Sequence, residues 1–293
     1  MNVLYIDKPQ ILIEIANGVL KIDDRKTPLY LIDAPVISSA VQLSSKTILK
    51  LTDEGIFIIF TRFDRYAIIH GANAKNSELK AAQYKALNDA LNIAKYLVEE
   101  KIIRHANSLK NKGIELPAEC SLKQISSART LDELRGVEGI FAHRYFSEFF
   151  TLIDNRLHGG ARVKRPPPDP ANALLSYLYS LFHGLLSVKL LANGFELGIA
   201  YLHTPFRSHN ALASDLIELF RHAINEMVIE LFMINEICIS DFAKKDGIYL
   251  RSEARRKLYW RVKDLWLLQE SQVAKEIANL RKLICRSDNE PFS

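Results

Sequence analysis

Near residue 73 the hydrophobic period of this chain changes from that of strands to that of helices, and this change constrains the fold more than any other feature. Before it, short apolar runs at 3–6, 11–15, 19–22, 29–32, 56–60 and 66–69 are separated by turn signals such as Asn17-Gly18 and Asp23-Asp24. One helix interrupts them at Ser45–Asp53, closed by Gly55 where a left-handed C-cap fits. From Ser77 onward Leu79, Ala82, Leu87, Leu91, Ala94 and Leu97 recur mostly at three- and four-residue intervals. The pattern predicts an α+β chain with a β-rich domain over 1–72, a small sheet or sandwich, followed by a larger all-α domain over 73–293. A polar stretch at 107–127 is expected to separate the first long helix from the next.

Size and composition permit this arrangement. With 293 residues, 48% hydrophobic and 25% charged, the chain can bury a real core and fill two domains. No run of about 18 uncharged apolar residues stands out, and the first residues read as a strand rather than a basic and then apolar leader, so a cytoplasmic protein without a membrane partner is expected. Cys120, Cys238 and Cys285 are far apart and lack CxxC spacing, which argues against a disulfide framework or a structural zinc site. The net charge of +5 permits nucleic-acid binding without demanding it. Its distribution says more. Arg162, Lys164 and Arg165 precede a proline run, while Arg251, Arg255, Arg256, Lys257, Arg261 and Lys263 crowd a later segment; each cluster is either a phosphate-contacting patch or a solvated face.

Thr130-Leu131-Asp132-Glu133 is a capping box that opens a helix over 130–152. At about 100° per residue Leu134, Phe141, Tyr145, Phe149 and Leu152 share one face, and Glu138 projects from that apolar stripe. An ionised carboxylate there costs several kcal/mol unless it is paired, hydrogen-bonded or bound to a metal. It is therefore either a core glutamate paired with an arginine, a cleft residue, or a ligand. Further on, Asp169 caps a helix that begins at Pro170, with Leu174, Leu178, Leu181, Leu185 and Val188 as its buried face and Ser176, Ser180, His183 and Ser187 opposite. The apolar run 199–202 stops at His203, ahead of Thr204-Pro205. One long helix is expected over 210–236, with Leu212, Leu216, Leu219, Ala223 and Met227 in a stripe and Asp215, Glu218 and His222 together on a neighbouring face. A hairpin around Asp246-Gly247 and a basic helix over 252–285 complete the chain.

Glu138, His203 and the pair Asp215 and Glu218 can converge on one divalent cation, since carboxylate oxygens with one imidazole suit Mg2+ or Mn2+. The spacing alone equally fits a polar helix face and a structural histidine. His143, His209 and His222 are rival imidazoles.

Four stretches then occur in order: Arg135-Gly136-Val137-Glu138-Gly139 with Tyr145-Phe146 downstream; Asp169-Pro170-Ala171-Asn172-Ala173-Leu174-Leu175-Ser176; Gly198 to His203; and Asp215-Leu216-Ile217-Glu218-Leu219-Phe220-Arg221. In these the chain resembles the CRISPR-associated integrase-endonuclease of the spacer-acquisition complex, over essentially its whole length. The resemblance implies metal-dependent phosphoryl transfer on double-stranded DNA. Glu138, His203 and Glu218 match the family's metal-binding and catalytic residues, with Asp215 an adjacent candidate for the second acidic ligand. It implies a homodimer formed through the β domain and a small ferredoxin-like partner subunit bridging two dimers. Arg162, Lys164, Arg165, Arg251, Arg255, Arg256, Lys257 and Arg261 are then the expected DNA contacts. A transposon-borne integrase with the same site, or a non-catalytic DNA-binding scaffold, are the alternatives.

Overall fold

The computed structural model describes residues 3–62, 65–71, 77–203 and 210–286. The chain divides into two compact units, Met1–Lys75 with Arg255–Glu270, and Asn76–Ala254 with Ser271–Ser293.

The first unit carries β1 (Val3–Ile6), β2 (Leu12–Ala16), β3 (Val19–Ile22), β4 (Arg25–Pro28), β5 (Ala34–Ile37), β6 (Gln42–Leu43), α1 (Ser45–Asp53), β7 (Ile58–Arg62) and β8 (Arg65–Ile69). Two four-stranded sheets result, in the orders β1-β5-β7-β8 and β4-β3-β2-β6. The first is parallel from β1 to β7, with Val3 opposite Ala34 and Val36 opposite Ile59. Ile6, Ile13, Leu20, Ile37, Leu51 and Ile58 fill the core of this unit. The Asn17-Gly18 turn closes the β2–β3 hairpin with positive φ at both residues. Helix α1 has the expected bounds; Gly55, at φ +73°, lets the Ile56 amide reach back to Leu51 O at 2.9 Å, the left-handed closure anticipated from its position. The run 29–32 is not a strand. Leu29–Leu31 forms a 3-10 turn after Pro28, and the strand lies instead at β5, which Pro35 disguises because it cannot donate to a ladder.

Residues 255–270 complete this unit. Tyr259 stacks on Tyr5 with ring centroids 5.0 Å apart, and its hydroxyl donates to Val3 O at 2.6 Å.

The second unit is helical: α2 (Ser77–Lys85), α3 (Ala90–Lys110), α4 (Glu119–Ser127), α5 (Leu131–Thr151), α6 (Pro170–Ala192), α7 (Ala211–Ile217), α8 (Arg221–Met233), the hairpin β9 (Phe242–Lys244) and β10 (Ile248–Leu250), and the ends of α9 (Ser252–Arg286). Both units together give the expected α+β class. The stretch expected to be a polar linker contains α4, whose buried residues are only Ser121 and Ile125, too few to mark an apolar stripe. Helix α6 is buried on nearly every side, and His183 and Ser187 face protein rather than solvent. Among the described residues it is the one helix long and apolar enough to cross a membrane, against the expectation of none, but most of that stretch is buried in the protein.

The long helix expected over 210–236 is broken into α7 and α8. At the break the backbone tightens to i→i+3 bonds, Leu219 N to Leu216 O and Phe220 N to Ile217 O, while Arg104 Nη1 donates to Leu219 O at 3.2 Å. That kink falls beside Glu218. The hairpin serves a loop: Ile248 N donates to Pro167 O at 2.8 Å, and a Cβ on Gly247 would lie 2.9 Å from Pro166 Cβ, so only glycine allows the hairpin tip to lie against the proline run.

Candidate active site

Thr130 caps α5 by accepting the Glu133 amide at 3.1 Å, and the Glu133 carboxylate accepts the Arg129 amide at 2.7 Å. With the start of the helix defined, Leu134, Phe141, Tyr145 and Phe149 are buried and Glu138 is carried on the edge of that face, its side chain 25% exposed. Its partner is not an arginine. Lys101, on the buried face of α3 with Leu97, Val98 and Ile102, places its ammonium against Glu138 Oε1 and 2.5 Å from Glu218 Oε2.

Glu218 sits at the α7–α8 kink with its side chain 5% exposed, and it also meets Arg221 at 2.9 Å. Burial favours its protonated form, but Arg221, Lys101 and His203 outweigh burial and hold the carboxyl well below the usual range. Lys101 touches Oε2 without lining up as a hydrogen-bond donor, so that buried oxygen lacks an aligned partner.

Asp215, 1% exposed, has a different task. Its Oδ2 accepts the amides of Tyr201 at 2.7 Å and Leu202 at 3.0 Å, and its Oδ1 accepts the amide of His203 at 2.9 Å and the imidazole Nδ1 at 2.8 Å. A carboxylate can only accept, so Nδ1 donates to Asp215, and in the neutral ring the lone pair falls on Nε2, which lies 4.0 Å from Glu218 Oε1. Arg135 completes the clamp on this turn by donating to Leu202 O through Nε at 3.1 Å and Nη2 at 2.8 Å. The first and last motifs therefore meet across the turn that ends in His203.

A third element is pinned over these groups. Asn172, fully buried, accepts the Val163 amide through Oδ1 at 2.9 Å and donates to Ala161 O at 2.9 Å and to Asp169 Oδ2 at 2.8 Å. The same Oδ1 takes Arg162 Nη1 at 2.9 Å, and Ser176 takes Nη2 at 3.1 Å. Arg162 and Arg221 both lie over the ring of buried Tyr179, at 5.5 and 4.6 Å from its centroid. The proton affinity of Lys164 is lowered, first by Arg221 and then by burial. Such crowded cations favour an arriving anion.

These groups line one cavity of about 560 Å³, which includes Lys101, Glu138, His203, Glu218, Arg162 and Arg221. Lys164, Arg135 and the exposed His143 line it too. Asp215 does not reach it, nor do Arg165, Arg251, Arg255, Arg256, Lys257 and Arg261. Arg251 donates to Phe242 O at 3.0 Å, while Arg255 and Arg256 flank buried Asp7 in the first unit at 3.7 and 3.5 Å. His209, like Thr204-Pro205, lies outside the described residues.

His222 is absent from the cavity and packs near His105, with ring centroids 6.0 Å apart. Burial and then the Arg104 charge push its pKa down to about 4, against the pull of the Leu219 carbonyl. The unfolded chain therefore takes up this proton first as pH falls, and stability is lost between about pH 6.5 and about pH 4, by up to about 3 kcal/mol and less given its partial exposure. Urea unfolding at pH 7 and pH 5 is expected to show this loss, and His222→Gln is expected to shrink it; an unchanged pH dependence in the variant would contradict the assignment.

Among the described residues no group of three or more His, Cys, Asp or Glu is arranged to hold a metal ion. In donor chemistry, however, the residues fit one: two carboxylates already gathered around a cation, and an imidazole whose free lone pair is set by a carboxylate behind it. Lys101, Arg221, Tyr179 and the role of Asn172 were not anticipated from sequence. Lys101 had a signal, since it falls on the apolar stripe of α3 as Glu138 does on that of α5.

The family model described as CRISPR associated protein Cas1 matches residues 4–263. A curated relative from Thermodesulfovibrio yellowstonii, named CRISPR-associated endonuclease Cas1 1, is 28% identical over 298 residues, 93% of this chain and 93% of its own. A solved CAS1 protein from Thermotoga maritima superposes with a TM-score of 0.88 at 20% identity, covering 97% of both chains. A casposase bound to integration product superposes with a TM-score of 0.86 at 20% identity, covering 100% of this chain and 95% of its own. The structural likenesses establish the fold. Because the family model spans most of the sequence, and the four ordered motifs are those of the same integrase-endonuclease family, this chain belongs to the Cas1 family of CRISPR-associated proteins.

Proposed function

We propose that this chain is a metal-dependent DNA integrase and endonuclease. The 3′-hydroxyl of a captured DNA fragment loses its proton and attacks a phosphodiester at the edge of a CRISPR repeat. The bond to the 3′-oxygen of the flanking nucleotide breaks and that oxygen takes up a proton, the repeat keeps the phosphate on its 5′-oxygen, and water in place of the attacking hydroxyl gives strand cleavage. The observation that carries this reading is the meeting of Glu138 and Glu218 at one cationic point beside His203, in a cavity lined by Arg162, Lys164 and Arg221.

Glu138, Glu218 and His203 would hold Mg2+ or Mn2+. When bound, the ion supplies Lewis-acid polarisation of the phosphate and stabilises the leaving oxygen. Asp215 positions rather than ligates, because its oxygens are committed to the 201–203 amides and to the Nδ1 proton of His203. Arg162 and Arg221, braced by Tyr179, orient the DNA backbone through non-bridging oxygens, and Lys164 adds a point charge. Of the basic residues expected to contact DNA, Arg162 and Lys164 line this cavity, which supports a role for them in holding the DNA backbone. Dimerisation through the β-rich unit and docking of a small ferredoxin-like subunit rest on the family resemblance.

Strand transfer on a branched DNA substrate tests this directly. Chelation with EDTA is expected to abolish turnover while DNA binding persists, and Mn2+ is expected to restore it. Turnover that survives chelation refutes the metal-dependent reading, and binding without turnover at every Mn2+ concentration leaves a non-catalytic scaffold. DNA affinity is expected to fall steeply with salt, and Arg162→Ala to reduce the salt slope by about 1; an unchanged slope would remove Arg162 from the phosphate contacts.

A further inference from the structure

Lys101 is 6% exposed, and its ammonium is shared by two carboxylates from different elements, Glu138 of α5 and Glu218 of the α7–α8 kink. Burial works against the charge of an ammonium in such a place; the two carboxylates, Glu218 and then Glu138, outweigh that penalty and raise its pKa. Arg221 already neutralises part of Glu218, so the charges are balanced only while Lys101 remains. A divalent cation held by the same oxygens would stand at the point the ammonium occupies, and two cations cannot share it.

We propose that Lys101 is a resident counter-cation: it holds Glu138 and Glu218 together in the metal-free protein and is displaced from them when a divalent cation binds. This inference rests on the metal-dependent reading above. Metal loading is then a cation exchange, in which the ion must outcompete an ammonium tethered by the fold. Two consequences follow. The intrinsic affinity of the two carboxylates is masked, so the site discriminates against weakly binding ions. The metal-free site also keeps its shape, because each carboxylate stays paired and neither is left as a lone buried charge.

Mn2+ titration of the full chain without DNA, by calorimetry and by loss of the free-ion electron paramagnetic resonance signal, tests the exchange. Lys101→Met keeps the length and apolar stem of the side chain and removes its charge. In this variant the Kd for Mn2+ is expected to fall at least about tenfold, the metal-free melting temperature to drop below that of the unaltered chain, and added Mn2+ to raise it by more. Binding by the unaltered chain with equal or weaker affinity in Lys101→Met overturns the counter-cation assignment alone. Absence of Mn2+ binding in both chains overturns it together with the metal-dependent reading. If Lys101→Met does not fold, Lys101→Gln, which retains a hydrogen-bond donor without the charge, is read by the same criteria.

Discussion

Replacing Glu138 with alanine is expected to lower strand transfer and cleavage on branched DNA by on the order of 10³-fold or more, with fold and DNA affinity retained. Its carboxylate is one of the two that meet at the Lys101 ammonium, and its loss removes an oxygen donor from the proposed ion and several kcal/mol of transition-state charge stabilisation. The fold is expected to survive. The Glu138 side chain is partly exposed, Lys101 keeps Glu218, and the packing of α5 is carried by Leu134, Phe141, Tyr145 and Phe149. The rate should be measured beside a melting curve and a DNA-binding isotherm. Glu138→Gln, which conserves volume and removes only charge, is expected to track the alanine variant. Equal turnover in the altered and unaltered chains would place the active site elsewhere.

Asp215→Ala is expected to cost stability first and activity as a consequence. The carboxylate is 1% exposed and accepts three backbone amides and the His203 imidazole, so its removal leaves buried donors without partners. Each such donor costs about 1–3 kcal/mol, and relaxation of the turn makes the sum less than additive; a loss of about 3–5 kcal/mol is expected. For a unit of this size that lowers the melting temperature by roughly 10 °C. His203 loses its tautomer and its orientation together, so turnover falls even at temperatures where the chain is folded. Glu218→Gln provides the contrast, with turnover lost and a smaller change in melting temperature. An inverted ranking, with Glu218 the more structural and Asp215 the more catalytic, would exchange the two roles.

Much of the local structure in both units was legible because its determinants lie close together in the sequence. The Thr130 cap, the Asp169 cap before Pro170, the left-handed Gly55 and the Asp246-Gly247 hairpin are each specified within a few residues, and each forms as its spacing indicates. The placement of Glu138 on an apolar stripe was legible for the same reason, because periodicity shows when a charge lies where it is costly. Periodicity also gave false readings where a tertiary contact intervened. Leu212 to Met227 repeats as one helix, yet Arg104 from α3 captures the Leu219 carbonyl and the helix breaks there.

That break decided what spacing could not. Asp215 and Glu218 look equivalent at i and i+3, but the fold turns one toward the backbone of 201–203 and the other toward Lys101. Likewise Arg255 and Arg256 belong to a basic run in sequence, whereas in the structure they flank Asp7 from the other end of the chain. Residue types and local periods set which elements form, since hydrogen-bonded caps and amphipathic faces are short-range. Which charge meets which is a long-range matter, settled by packing: Lys101 and Glu138 stand 37 residues apart, and only the burial of α3 against α5 brings them to one point.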